Sequence, residues 1–96
     1  MIRFVEVTKK GSQYDPSIGM SKSIFGLREI FINPTMIVSM KDDVVLREKN
    51  SKDQIVNDLN INSQFTAITL NAGTSGKTIT VVGSVQAVCE RLGLSQ

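Results

Sequence analysis

The chain has 96 residues, 41% of them hydrophobic, and its 11 basic and 9 acidic side chains leave a net charge of +2. That length fits a single domain over residues 1–96 with a small core, and the hydrophobic share excludes a disordered chain. The slight basic excess does not by itself point to DNA, RNA or a membrane surface.

Met1 to Thr8 is read as the first strand, with Ile2, Phe4, Val5 and Val7 among Arg3 and Glu6. Lys9-Lys10-Gly11-Ser12 carries turn chemistry and is expected to end it. Asp15 to Gly26 reads as a polar, glycine-containing loop, because Asp15-Pro16 favours a turn. Ile18, Met20, Ile24 and Phe25 lie in that loop, so it is expected to fold over a core edge or to meet a partner.

Leu27 to Asn33 is the second strand, with Leu27, Glu29 and Phe31 on one face and Arg28, Ile30 and Ile32 on the other. Asn33-Pro34 stops it and predicts a short helical turn capped by Asn33. Val38 to Met40 leads into a third strand, broken at Lys41-Asp42-Asp43. Val44 to Glu48 is expected to continue that strand or to form a hairpin arm. Ser51 to Leu59 is expected to form a short helix, from a weak capping box of Ser51 and Gln54.

Phe65 to Asn71 alternates cleanly, and Thr78 to Val82 is a β-branched run. With the turn from Gly73 to Gly76 between them, the two predict an antiparallel hairpin. Ser84 is placed to cap a final helix with Val85, Val88, Cys89 and Leu92 on one stripe and Gly93 beyond its end. The fold class is therefore α+β: a small, mainly antiparallel β-sheet domain with a C-terminal helix.

The tract Asn71 to Thr78, NAGTSGKT, ends like a phosphate-binding loop. That motif needs a glycine where Asn71 stands and a helix where Thr78 to Val82 reads as a strand. What remains is a turn whose backbone amides, with Lys77, offer a place for an anion. The chain has no histidine and a single cysteine, Cys89, so it forms no internal disulfide and no zinc site of Cys/His type. Cys89 falls on the buried stripe and reads as a core thiol. Asp42 and Asp43 are adjacent, which in a strand sends them to opposite faces and does not suit paired acid–base work. No catalytic residues, metal or cofactor are expected. No apolar stretch approaches about 18 residues, and the N-terminus does not read as a signal peptide, so a cytoplasmic protein is the expectation.

Two segments together resemble the small flagellar-operon protein family called FlbD. The first is Glu29-Ile30-Phe31-Ile32-Asn33-Pro34-Thr35-Met36-Ile37, similar to that family's strand, Asn-Pro and short turn. The second is Ala67 to Leu92, AITLNAGTSGKTITVVGSVQAVCERL, similar to its strand, lysine-bearing turn, valine-rich strand and closing helix. The chain differs in its Asp15 to Gly26 segment, its Val44 to Ser63 segment and a longer turn at Gly73 to Gly76. The resemblance implies a non-enzymatic accessory or regulatory role.

The residues point to a binding or regulatory module that captures a protein partner or a small, anionic ligand. Tyr14, Phe25, Arg28 and Lys77 are the candidate binding residues. Apolar residues on both faces of the second strand, with a thin core, point to a homo-oligomer. Nucleic-acid binding is the alternative, resting on Arg3, Lys9, Lys10, Lys22 and Arg28 near Tyr14, Phe25 and Phe31. Nucleotide-phosphate binding at Gly73 to Thr78 is a third reading.

Overall fold

The computed structural model describes residues 1–17, 19–56, 59–72 and 75–93, without the side chains of Asp15, Lys22, Ser23, Ala72 and Ser75. Among these residues the chain forms β1 (Ile2–Asp15), β2 (Met20–Ile32), a 3₁₀ turn (Pro34–Met36), β3 (Ile37–Asp42), α1 (Val44–Lys52), β4 (Phe65–Ala72), β5 (Ser75–Val82) and α2 (Val85–Leu92). The strands make one antiparallel sheet of order β2-β1-β5-β4-β3. This is the expected fold class, a small and mainly antiparallel sheet with a C-terminal helix.

The strand order has a geometric consequence. β2 and β3 are the two edges of the sheet, yet only Asn33 to Met36 separates them. In a flat sheet four strand spacings would hold the edges ~19 Å apart. A connection containing a 3₁₀ turn reaches roughly 13 Å. The sheet therefore curls until its edges approach, and the meander β1 to β5 becomes an incompletely closed barrel with a seam between β2 and β3.

Curling gives the sheet two unlike faces. The inner face carries Phe4, Ile32, Ile68, Ile79 and Val81, joined by Val88 and Leu92 of α2. The outer face carries Val7 and Phe65, joined by Leu46 of α1 and by Leu59. Phe65, Thr66, Ala67 and Ile68 are consecutive and all buried, because both faces of β4 are covered.

The final helix follows its sequence signals. The Ser84 hydroxyl accepts from the Ala87 amide at 3.1 Å, satisfying an N–H that the helix leaves unpaired. Val88, Cys89 and Leu92 are buried, and Gly93 ends the helix at φ 72°. That left-handed geometry suits glycine, which has no Cβ to strain. The Asn33 carboxamide likewise accepts from the Thr35 amide at 3.1 Å at the head of the 3₁₀ turn.

Three expectations are corrected. Asp15 to Gly26 is not a loop: Gly11↔Ile24 through Asp15↔Met20 are paired rungs of a long β1–β2 hairpin. Lys9 to Ser12 does not end β1 either. A bulge between Lys9 and Gly11 absorbs one extra residue, and Gly11 adopts φ 155°, which residues with side chains rarely reach. Pairing across the hairpin outweighs the local turn signals.

The third correction concerns residues 44–59. Val44 to Glu48 belongs to the helix α1 rather than to a strand, and Ser51 lies near its end rather than at its start. The start is Asp43, whose Oδ1 accepts from the Leu46 amide at 3.1 Å. Its Oδ2 accepts from the Thr80 hydroxyl at 3.0 Å and ties the helix to β5. Lys49 and Lys52 sit in the last turn, where the helix dipole favours positive charge. Gln54, Ile55 and Val56 follow the helix without continuing it, and the part of the expected helix at Asn57 and Asp58 lies outside the described residues.

Asp43→Ala is expected to cost about 1–2 kcal/mol, the usual value of a lost N-cap. Asp43→Asn should recover most of it, since asparagine caps as well. Urea denaturation of the three proteins measures this; a loss under ~0.3 kcal/mol in Asp43→Ala would remove the cap from the account of α1.

Candidate functional site

The four sequence-derived candidates do not converge. Tyr14 lies near the tip of the β1–β2 hairpin and is 63% exposed. Phe25 is half-buried on the outer face with Val7 and Leu46, and the Lys49 ammonium stands 5.6 Å from its ring centroid. Arg28 is on the inner-face side of β2, where its Nε donates to Glu6 Oε1 at 2.7 Å. Glu6 is buried while Arg28 is largely exposed, so the arginine serves as partner to an otherwise costly buried carboxylate. Lys77 sits in β5 opposite Leu70.

This placement bears on the anion nest. Gly76 pairs with Asn71 and Lys77 with Leu70, so both are ladder residues rather than turn residues. Gly73 and Thr74 lie outside the described residues. After Lys77 the chain runs on as strand through Val82, without the helix a phosphate loop requires.

The basic residues near the N-terminus also divide. Arg3 pairs with Glu29 at 2.9 Å and Arg28 with Glu6, so each is offset by a carboxylate. Lys9 and Lys10 are exposed and have no ion pair among the described residues. Lys22 pairs with Gln13 in the ladder, and its side chain is not described.

Two surface features bring residues together. The first is the distal half of the β1–β2 hairpin. Among the described residues β1 pairs with β5 at Glu6 and Val7, so beyond Thr8 and Gly26 the hairpin has no further partner strand and forms an arm. The seven steps from Thr8 to Asp15 make it about 23 Å long. The radius of gyration, 14.5 Å, exceeds the ~12.5 Å of a compact chain of this length, as such an arm requires. Met20 and Ile24 are exposed on the arm together with Tyr14, at 64% and 40%.

The second feature is a cavity of about 280 Å³ at the seam, where β2 ends beside the start of β5. Its lining includes Phe31, Ile32, Met36 and Leu70, with Asn33, Asn71 and Lys77 as polar members. Only the curl of the sheet places Ile32 beside Leu70. Sequence reasoning missed this pocket; its one local signal was that both faces of β2 carry apolar residues, with Phe31 on the outer one. On the outer face a cleft of about 300 Å³ lies between Phe25 and α1, next to one of about 400 Å³ that shares Asp43 and Thr80 with it. Both carboxylate oxygens of Asp43 accept structural hydrogen bonds there, from the Leu46 amide and the Thr80 hydroxyl.

Among the described residues no group of three or more His, Cys, Asp or Glu side chains stands close enough to hold a metal ion, and no helix is long and apolar enough to cross a membrane. No family model matches the chain, and neither a curated protein nor a solved structure does.

Proposed function

We propose that the chain is a non-enzymatic binding module that captures a protein partner through its β1–β2 arm, and that the first such partner is a second copy of itself. The observation that carries this reading is the exposure of Tyr14, Met20 and Ile24 on an arm that contributes none of them to either core cluster. Met20 and Ile24 share one face of the arm and Tyr14 stands on the other, and large apolar side chains exposed on an extension mark an interaction surface. Tyrosine and methionine are also the residues that interfaces favour. An accessory role of this kind is what the resemblance to the flagellar-operon family implies.

The test replaces Tyr14, Met20 and Ile24 together by serine. Because these side chains lie outside the core clusters, the variant is expected to keep its stability within about 0.5 kcal/mol. Light scattering should find the parent larger than one chain and the variant monomeric. A photoreactive residue at position 14 should cross-link to protein. If parent and variant have the same mass and position 14 cross-links to no protein, the reading fails. Lys9 and Lys10, unpaired at the base of the arm, favour nucleic acid as the second reading. A position-14 cross-link to nucleic acid, weakened steeply by salt, would replace the first.

A further inference from the structure

The seam cavity is separate from the arm and has its own chemistry. Its floor is apolar, from Phe31, Ile32, Met36 and Leu70, and Phe31 remains 55% exposed. The Lys77 side chain lines it with no hydrogen bond or ion pair to any described residue. Asn33 supplies an oriented donor. Its Oδ1 accepts from both the amide and the hydroxyl of Thr35, at 3.1 and 2.9 Å. The Thr35 amide can only donate, so it fixes which end of the Asn33 carboxamide is oxygen and leaves the Nδ2 protons unspent.

An apolar floor flanked by a free ammonium and a free amide N–H₂ is complementary to an apolar group that carries a carboxylate. Size narrows the choice. Pockets for whole small molecules run from about 300 to 1,000 Å³. This one, at about 280 Å³, stands at the bottom of that range, which favours a small occupant such as a single residue. A chain terminus brings both chemistries within one residue, and capture of a terminal carboxylate is an established mode of peptide recognition.

We propose that the seam cavity binds the carboxyl-terminal residue of a partner polypeptide, its apolar side chain on Phe31 and Leu70 and its carboxylate at Lys77 and Asn33. The site is independent of the arm, so either proposal can fail without the other.

Titration followed by amide NMR tests it, using an acetylated tetrapeptide that ends in leucine. The free-acid peptide should shift the Ile32, Leu70, Asn71 and Lys77 amides. The same peptide with an amidated terminus should bind about tenfold more weakly, as expected when a charge-assisted hydrogen bond is lost. Lys77→Met should produce the same loss for the acid peptide, and Lys77→Arg should restore binding. Lys77 is an exposed strand residue, so these variants are expected to fold, and unchanged spectra away from the seam verify that. Equal binding of acid and amide peptides, shifts confined to another surface, or no shift at millimolar peptide would overturn the proposal. Octanoate binding as tightly as the peptide would also overturn it, because a free acid rather than a chain terminus would then suffice.

Discussion

Replacing Phe4 by alanine is expected to destabilise the domain by about 3–5 kcal/mol. Phe4 is 1% exposed and sits in the inner cluster with Ile32, Ile68, Ile79, Val81, Val88 and Leu92. Those residues come from both halves of the curled sheet and from α2, so the ring belongs to the cluster that joins the layers closing the barrel. Truncation opens a cavity that these elements cannot collapse into without breaking strand pairing. The ring also lies 4.7 Å from the Arg91 guanidinium, a cation–π contact that holds α2 on the sheet. That contact is the smaller part, about 0.5–1 kcal/mol. A domain of this length has roughly 5–15 kcal/mol in all, so Phe4→Ala should forfeit a large share of its stability. Phe4→Leu, which keeps most of the volume, should lose much less. The guanidinium chloride midpoints of the three proteins measure this; a loss below ~1.5 kcal/mol in Phe4→Ala would mean that the inner cluster does not close the fold.

The elements legible in the sequence were those with a local cause. Phe65 to Asn71 alternates at the strand period, and its partner is β-branched, so β4–β5 could be read directly. Ser84, Gly93 and the Asn33-Pro34 pair are stop and start signals whose chemistry acts within a few residues, and the structure has all three caps. The arm was not legible, because Lys9 to Gly26 is rich in residues that favour turns. Its strands are held by pairing with each other, a contact between residues up to 18 apart. α1 was obscured for a different reason. Val44 and Val45 favour strands, and the buried face of the helix is Leu46 with Asn50, an amide, so no apolar stripe marks it.

The candidate site divides in the same way. Tyr14 was recognisable as an aromatic residue in a polar tract, and the structure exposes it on the arm. Arg28 was singled out as a binding cation; its guanidinium is engaged by Glu6, directly opposite it across the β1–β2 ladder, at a rung no local pattern announces. The seam cavity draws on β2, the 3₁₀ turn, β4 and β5. Phe31 and Lys77 become neighbours only because a short connection forces the sheet to curl. Residues that share a pocket through topology leave no spacing to read, whereas those that share a helix face do.

Asn50→Ala is expected to cost about 2–5 kcal/mol, although Asn50 is polar and lies near the end of a short helix. The side chain is fully buried, at 0% exposure. Its Nδ2 donates to the Asn60 carbonyl at 2.8 Å and its Oδ1 accepts from the Ile55 amide at 3.1 Å. One carboxamide thus pairs two backbone groups of the segment after α1, which is otherwise irregular and must satisfy its peptide groups individually. Removing it takes the partner from the half-buried Ile55 N–H and from the C=O of Asn60, an exposed residue, and opens a cavity where the buried carboxamide stood; an orphaned buried group costs about 1–3 kcal/mol. The same segment presents Ile55, Val56 and Leu59 to the outer cluster around Phe65. Losing the two hydrogen bonds should therefore loosen the outer layer while the inner cluster persists. Hydrogen exchange separates the layers: in Asn50→Ala the Ile55 amide should lose its protection, whereas the Ile68 and Ile79 amides should exchange only through global unfolding. Asn50→Asp should not rescue, because a carboxylate can accept from Ile55 but has no proton for the Asn60 carbonyl and would carry a buried charge. Retained protection at Ile55 in Asn50→Ala, or a stability loss under about 1 kcal/mol, would show that contacts of the outer cluster hold the segment without the amide.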